Sequence, residues 1–318
     1  MDKIVCKFGG TSLADSAQMQ KVRNIVHSSK DRMYVVVSAP GKRHKDDTKV
    51  TDLLYASLSD EEAFDKVVTR FFSLEKDLNV SHRASDYLIA HKSVIQNDKD
   101  FAASRGEFCS ALVMSEFLGF EFIDAESIID IDENGKTLST TFEKIQKEIK
   151  EGVPYVIPGF YGKGVNDKVK TFSRGGSDIT GSLIARAVNA KLYENWSDVS
   201  GVMSANPRIV ENPLIIDELS YEEMELLAEY GAEVYHHDAV ECIRDIVPIN
   251  IRNTNSPNDK GTMIVSSRAH KPLSHLAVTS KDNTVYVLGD LKVLESKTVE
   301  NKDSVNDVLK QLYAKYFV

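Results

Sequence analysis

Lys7-Phe8-Gly9-Gly10-Thr11-Ser12 brings a cation, two glycines and two hydroxyls together within one short stretch. Ile4-Val5-Cys6 ahead of it is an apolar β-type run, and Met19, Val22, Ile25 and Val26 behind it recur at helical spacing. Ser12 followed by Asp15 fits a capping box and predicts a helix starting there. A strand, a glycine pair and a helix N-terminus together build a pocket for an anion. Glycine lets backbone N–H groups approach, and the helix end adds unpaired N–H groups and partial positive charge. Lys7 adds a full charge at the strand's end. The pattern is not G-x-x-x-x-G-K-[ST], because the lysine precedes the glycines. Taken alone, a glycine pair after a strand is equally an ordinary tight turn.

A second stretch of the same kind is Phe172-Ser173-Arg174-Gly175-Gly176-Ser177-Asp178, which runs straight into the helical pattern of Ile179, Leu183, Ile184 and Ala187. Arginine's planar fork suits bidentate capture of a carboxylate or phosphate. Two glycine-hinged anion pockets, with Lys7 and Arg174, point to a protein that handles a charged pair of ligands. Residues 42–49 form a charged loop, either a plain solvated turn or a mobile lid over an anionic substrate. Glu107, in Ser104-Arg105-Gly106-Glu107, reads as part of the first turn of an apolar helix, where a carboxylate suits the dipole. His236-His237-Asp238 does not make a zinc site, since adjacent side chains seldom converge on one ion; no metal ligands are assigned.

The chain has 318 residues, 42% hydrophobic and 27% charged, which suits one large or two moderate globular domains. A net charge of −9 argues against general nucleic-acid binding but not against nucleotides, which need only local positive charge. Cys6, Cys109 and Cys242 lie far apart without C-x-x-C, as in a reducing cytosol. No apolar leader or membrane-length run is seen, so a soluble, cytoplasmic protein without membrane or nucleic-acid partners is expected.

These stretches need elements to hold them. Tyr34-Val35-Val36-Val37 is a strand without alternation, as in a parallel sheet covered on both faces. Thr51-Asp52 opens a helix, Ser59 with Glu62 caps another, and Thr140 with Glu143 a third. Strands are expected at Phe120–Ile123, over Pro154–Phe160 running into a loop, at Leu192–Asp198 and at Pro248–Asn253, and Ser220 with Glu223 caps a further helix. The alternation argues α/β with a mainly parallel sheet. After residue 265 only Val285–Gly289 reads as a strand, and an amphipathic helix begins at Asp303-Ser304; this is a piece of a small αβ module too short to bury a core alone.

Lys7–Ser12, Ser104–Glu107, Pro158-Gly159-Phe160, Ser173–Asp178 and Trp196-Ser197-Asp198-Val199, in this order, resemble the aspartokinase family over residues 1–265. The resemblance implies the amino-acid-kinase fold, a three-layer αβα sandwich with a mainly parallel sheet, as a catalytic domain over 1–265. It implies transfer of a phosphoryl group from ATP, with Mg²⁺, to the side-chain carboxylate of L-aspartate, the first step towards lysine, threonine and methionine. It also assigns roles. Lys7 with the Gly9-Gly10 backbone would hold the transferring phosphate, with Ser38 near that path, and Asp178 would position Lys7 or the metal-bound phosphate. Arg174 would grip the α-carboxylate of aspartate and Glu107 its ammonium, with Thr51, Phe160 and Ser177 lining the same pocket. Ser197, Asp198 and Arg208 would contact the nucleotide. The readings kept beside it are a kinase of another acidic amino acid and a non-catalytic amino-acid-binding paralogue.

The chain departs from the family pattern in its nucleotide half. Asp-Pro-Arg reads Asn206-Pro207-Arg208, a preceding aromatic is Met203, Gly-Ala-Lys reads Gly231-Ala232-Glu233, and His-Pro reads His236-His237. Residues 266–318 resemble a partial ACT module, where relatives carry two in tandem. Feedback by lysine or threonine and homodimers or higher homo-oligomers are what the family implies; a shortened tail puts feedback in question before catalysis.

Overall fold

A computed structural model of the chain describes residues 2–173, 175–232, 237–267, 270–301 and 304–318, with the backbone alone at 237 and 238. The chain opens with β1 (Ile4–Phe8), a 3-10 turn (Gly10–Leu13), α1 (Ser16–His27) and β2 (Arg32–Val37). Both strands are buried almost throughout, which their unbroken apolar runs require. Five helices follow: α2 (Val50–Ala56), α3 (Glu61–Leu78), α4 (Arg83–Ala90), α5 (Lys92–Ile95) and α6 (Lys99–Leu118). α6 is buried on nearly every side, so it has no polar stripe to turn outward. Next come β3 (Glu121–Phe122), α7 (Ala125–Ile128), β4 (Asp130–Ile131), α8 (Thr140–Glu148), β5 (Tyr155–Pro158), β6 (Tyr161–Gly164) and β7 (Val169–Thr171). α9 (Gly176–Ala187), β8 (Leu192–Ser197), β9 (Glu218–Ser220), α10 (Tyr221–Glu229), α11 (His237–Glu241), β10 (Ile249–Asn253) and β11 (Thr262–Val265) complete the main body. β12 (Ala277–Lys281), β13 (Thr284–Gly289), β14 (Lys292–Thr298) and α12 (Val305–Phe317) close the chain.

Among the described residues the central sheet runs β3-β5-β2-β1-β8-β10-β11-β9. Every pairing in it is parallel except β10 with β11. Helices cover both faces. The odd-numbered side chains of β1 and β8 turn toward α9, where Lys7 meets Asp178. The even-numbered ones turn toward α1: Phe8 stacks on Trp196, and Arg32 reaches both Glu194 and the Ile25 carbonyl of α1. This is the expected αβα sandwich.

Several expected helix starts move: α8 follows Ser139 with no side-chain cap, so the box of Thr140 and Glu143 does not form, and at three others an acid takes the cap. α1 begins at Ser16 behind Asp15, whose carboxylate accepts from Gln18 N–H, while the Ser12 hydroxyl is taken by Thr254 at 2.7 Å. α3 is capped by Asp60, not Ser59. α6 is capped by Asp98, so Glu107 stands in mid-helix and not in a first turn. In each case an acid just off the expected position accepts the orphan N–H. The capping box of Ser220 and Glu223 forms as expected.

Beneath the sheet, Glu194 is a buried carboxylate held by Arg32 at 2.7 Å, Trp196 Nε1–H at 3.0 Å, the Cys6 thiol at 3.2 Å and Arg252 at 3.4 Å. Burial pushes its carboxyl up, but the Arg32 hydrogen bonds and charge outweigh that and hold it below the ordinary value. Arg32→Met leaves this charge with Arg252 as its remaining cation, and in urea unfolding it should cost about 2 kcal/mol or more. Adding Glu194→Gln should recover part of the loss; a single-variant loss below about 1 kcal/mol would contradict the pairing.

Candidate active site

Strand order turns back between β1 and β8, with β2 and β5 on one side and β10 on the other. Open α/β sheets take ligands outside the carboxyl ends of the strands at such a seam. Lys7 and Asn195 are direct register partners across it. Lys7 Nζ lies 2.6 Å from Asp178 Oδ1, and Asn195 Nδ2 donates to the same oxygen at 3.1 Å. Asp178 sits in the first turn of α9, where the helix dipole favours a carboxylate. Its Oδ2 makes no hydrogen bond or ion pair among the described residues.

The glycine loop lies beside this triad. Gly9 N–H is occupied, donating to the Trp196 carbonyl at 3.0 Å, whereas the N–H groups of Gly10 and Thr11 make no backbone hydrogen bond among the described residues. The backbone N–H groups left free in this turn are therefore those of Gly10 and Thr11, one residue along from the glycine pair. Gly41 N–H donates to the Gly10 carbonyl at 2.8 Å, and a Cβ on Gly41 would fall 2.7 Å from that group. The loops after β1 and β2 thus touch backbone to backbone. Arg70 of α3 braces both, donating to the carbonyls of Ala14 and Gly41 at 2.8 Å each, and its other arm meets Asp47 at 2.9 Å. Asp47 also accepts from the Arg43 side chain and backbone, and its carboxyl is held far below the ordinary value, first by Arg43. The charged loop 42–49 is accordingly a clamped turn.

Glu107 comes to this end of the sheet because α6 packs closely there: a Cβ on Gly106 would lie 2.6 Å from Ala39. Its carboxyl is fully buried and one oxygen, Oε2, has no partner among the described residues. Burial pushes its pKa up to about 8, against smaller opposing pulls from the Ala39 amide, Arg105 and Lys7. A buried, half-satisfied acid of this kind calls for a cation. Ser38 follows β2 with its N–H on the Phe8 carbonyl at 3.2 Å, and Thr51 lies in the first turn of α2.

Phe160 joins β5 to β6 at φ 79°, a conformation that non-glycine residues rarely adopt, and its N–H donates to Thr180 Oγ1 at 3.2 Å. Gly159 lies against Ser177, where a Cβ would fall 2.6 Å from the serine side chain. Phe160, Ser177 and Asp178 are thereby brought together at the N-terminus of α9. Arg174 lies outside the described residues, as do Glu233 and the side chains of 236–238.

Arg208 stands apart from this cluster. With Met203, Asn206, Val199 and Gly231 it lines a cavity of about 370 Å³ along the segment that leaves β8. Ser197 ends β8 and accepts from Val199 N–H at 3.3 Å, and Asp198 leads into the same segment. Val199 is four positions along the chain from Asn195, so the cavity begins within about 14 Å of the lysine cluster. Sequence reasoning missed Asn195, Arg70 and Thr254. Only Asn195 left a signal, a polar residue next to Trp196 in an otherwise buried strand.

Residues 2–253 match the model of the amino acid kinase family. The chain belongs to that family. Among its relatives, aspartokinase 3 of Bacillus subtilis is 37% identical over 83% of this chain and 64% of its own length. The crystal structure of Clostridium acetobutylicum aspartate kinase superimposes with a TM-score of 0.82 at 43% identity, over 88% of this chain and 67% of that one. Escherichia coli aspartokinase III, solved in complex with aspartate and ADP, shares the fold with a TM-score of 0.76 at 24% identity. This amino acid kinase chain thus spans just under two thirds of the Bacillus subtilis relative. No helix among the described residues is long and apolar enough to cross a membrane.

Two outcomes follow from the geometry. Glu107 keeps its proton in the fold and loses it at about 4.5 in the unfolded chain, so its contribution to stability falls as pH rises towards about 8. Glu107→Gln removes that slope, and its melting temperature should gain on that of the unaltered protein between about pH 6 and about pH 8. A margin that stays constant would contradict the buried acid. Gly41→Ala should cost about 1–3 kcal/mol in chemical denaturation, since its Cβ overlaps the Gly10 backbone.

Proposed function

We propose that the chain is an aspartokinase: it transfers the γ-phosphoryl group of ATP to the side-chain carboxylate of L-aspartate, giving 4-phospho-L-aspartate and ADP. The observation that carries the reading is the pairing of a phosphate cradle at Lys7 with a separate buried acid, Glu107, at the same end of the sheet. The likeness to aspartokinases named above supports the choice of amino acid.

The attacking carboxylate is already ionised at neutral pH, so no general base is required. The difficulty lies in bringing two anions together, and positioning with charge neutralisation supplies the catalysis. Lys7 neutralises charge on the transferring phosphoryl group, and the N–H groups of Gly10 and Thr11 hold its oxygens. Asp178, oriented by Asn195, keeps the Lys7 ammonium in place. Glu107 accepts the ammonium of aspartate and ionises as it does so, while Arg174 takes the α-carboxylate. Thr51, Phe160, Ser177 and Ser38 line the path, and Ser197, Asp198 and Arg208 hold the nucleotide. No group of three or more metal ligands is present among the described residues. One free carboxylate oxygen on Asp178 fits Mg²⁺, which is usually carried by substrate phosphates and one or two carboxylates. Bound there, Mg²⁺ would neutralise phosphate charge.

Residues 1–265 form the catalytic domain in this reading and 266–318 a partial ACT-like module. Cytoplasmic location, a homo-oligomer, and lysine or threonine as effector complete it. The test is aspartate-dependent ADP release from Mg-ATP, with glutamate as the competing substrate. Lys7→Ala should lower kcat at least about 100-fold. Aspartate binding without ADP release in the unaltered protein would overturn the enzyme reading.

A further inference from the structure

The closing sheet is two-faced. Antiparallel register sets Ala277 opposite Leu288 and Thr279 opposite Tyr286, and this set turns to the main body, where Ala277 and Leu288 join the large core and Tyr286 packs on Tyr230. Val278, opposite Val287, and Val285 turn the other way, onto Val308, Leu309 and Leu312 of α12. A strand with both faces buried is built into the molecule.

The segment that carries Arg208 is in turn built into this unit. Ala205 and Val210 bracket Asn206-Pro207-Arg208, and both are buried in the core under α12. Val278 N–H donates to the Ser204 carbonyl at 2.8 Å. Tyr313 of α12 accepts from Leu214 N–H at 3.0 Å and lies 3.1 Å from the Ser204 hydroxyl. On the far side Lys281 Nζ donates to the Glu229 carbonyl at 3.0 Å. Gly231, at φ 93°, approaches Ser280 so closely that a Cβ would fall 2.4 Å from the Ser280 carbonyl. β12 and Leu309 therefore form a wall of the cavity that Arg208 and Asn206 line from the other side.

That wall carries two polar residues, Thr279, whose hydroxyl is buried and without a partner among the described residues, and the more exposed Ser280. Ser280 is half-buried, lines the cavity, and its hydroxyl has no hydrogen-bond partner among the described residues. In an antiparallel ladder, N–H groups two residues apart point to the same edge. Val278 N–H leaves the sheet toward Ser204, so Ser280 N–H faces that edge also, and it makes no backbone bond there among the described residues. Apolar walls from Leu309, Val202 and Ile251 with a few edge donors suit the flat, apolar faces and polar rim of a nucleoside.

We propose that the C-terminal unit is a wall of the nucleotide site, that Ser280 contacts the nucleoside, and that nucleotide binding is coupled to docking of this unit. The inference rests on the aspartokinase reading for the identity of the ligand. Coupling is reciprocal: a ligand held between two units tightens their contact, and loosening the contact weakens the ligand.

The test uses the full chain, Mg-ADP and two readouts. In hydrogen–deuterium exchange, Mg-ADP should slow the amides of residues 277–281 and 305–313 in the unaltered protein. In calorimetry, Ser280→Phe, which fills the cavity, should weaken Mg-ADP about tenfold or more and leave aspartate affinity within about twofold. If the unaltered protein binds no Mg-ADP, the nucleotide reading itself fails. If it binds Mg-ADP but exchange at 277–281 is unchanged, or Ser280→Phe binds as tightly, the wall is overturned and the nucleotide reading stands. Should Ser280→Phe lose aspartate as well, exchange in the unaltered chain decides alone.

Discussion

The ion pair between Lys7 and Asp178 is the contact on which the site's arrangement depends. It joins the end of the central strand to the first turn of a helix far along the chain. Through Asn195 it also fixes the neighbouring strand, so β1, α9 and β8 are held at one point. An ammonium tied to a carboxylate cannot wander, yet it sits where the strand order reverses and the sheet opens. Glycine loops can then approach it by backbone alone, and the close crossing of Gly10 and Gly41 uses that freedom.

The same alternation that points Lys7 and Asn195 to one face sends Cys6, Glu194 and Trp196 to the other. There a second buried charge, Glu194, is satisfied wholly from within by Arg32, Arg252, Trp196 and Cys6. Glu107 is the contrasting case, a buried acid left with a free oxygen. One acid belongs to the architecture because its partners are built in. The other has no full set of partners built in, and the proposed function gives it the substrate ammonium.

The end of the chain is interlocked with the rest and is no loose appendage. Its sheet gives one face to the main core and one to its own helix, and it takes Ala205 and Val210 from the main body into its small core. A unit too small to bury a core alone borrows apolar surface in this way. The exchange binds the loop of Arg208 to the final helix through Tyr313 and Ser204.

Much of this was legible in the sequence. Unbroken apolar runs such as Tyr34–Val37 marked a covered parallel sheet, and glycine pairs beside Lys7 and Asp178 marked the tight turns into the following helices, because these depend on local residue type and spacing. Helix starts were read a few residues off at α1, α3 and α6, since the acids Asp15, Asp60 and Asp98 competed for the orphan N–H groups. Strands β9, β11, β12 and β14 were not anticipated; they are ordered by their neighbours more than by their own composition. Which ends meet was a matter for tertiary structure alone. That Asp178 closes on Lys7, that Arg70 braces two loops from a distant helix, and that Ser280 faces the cavity of Arg208 follow from strand order and register, which place residues far apart in the chain within hydrogen-bond reach.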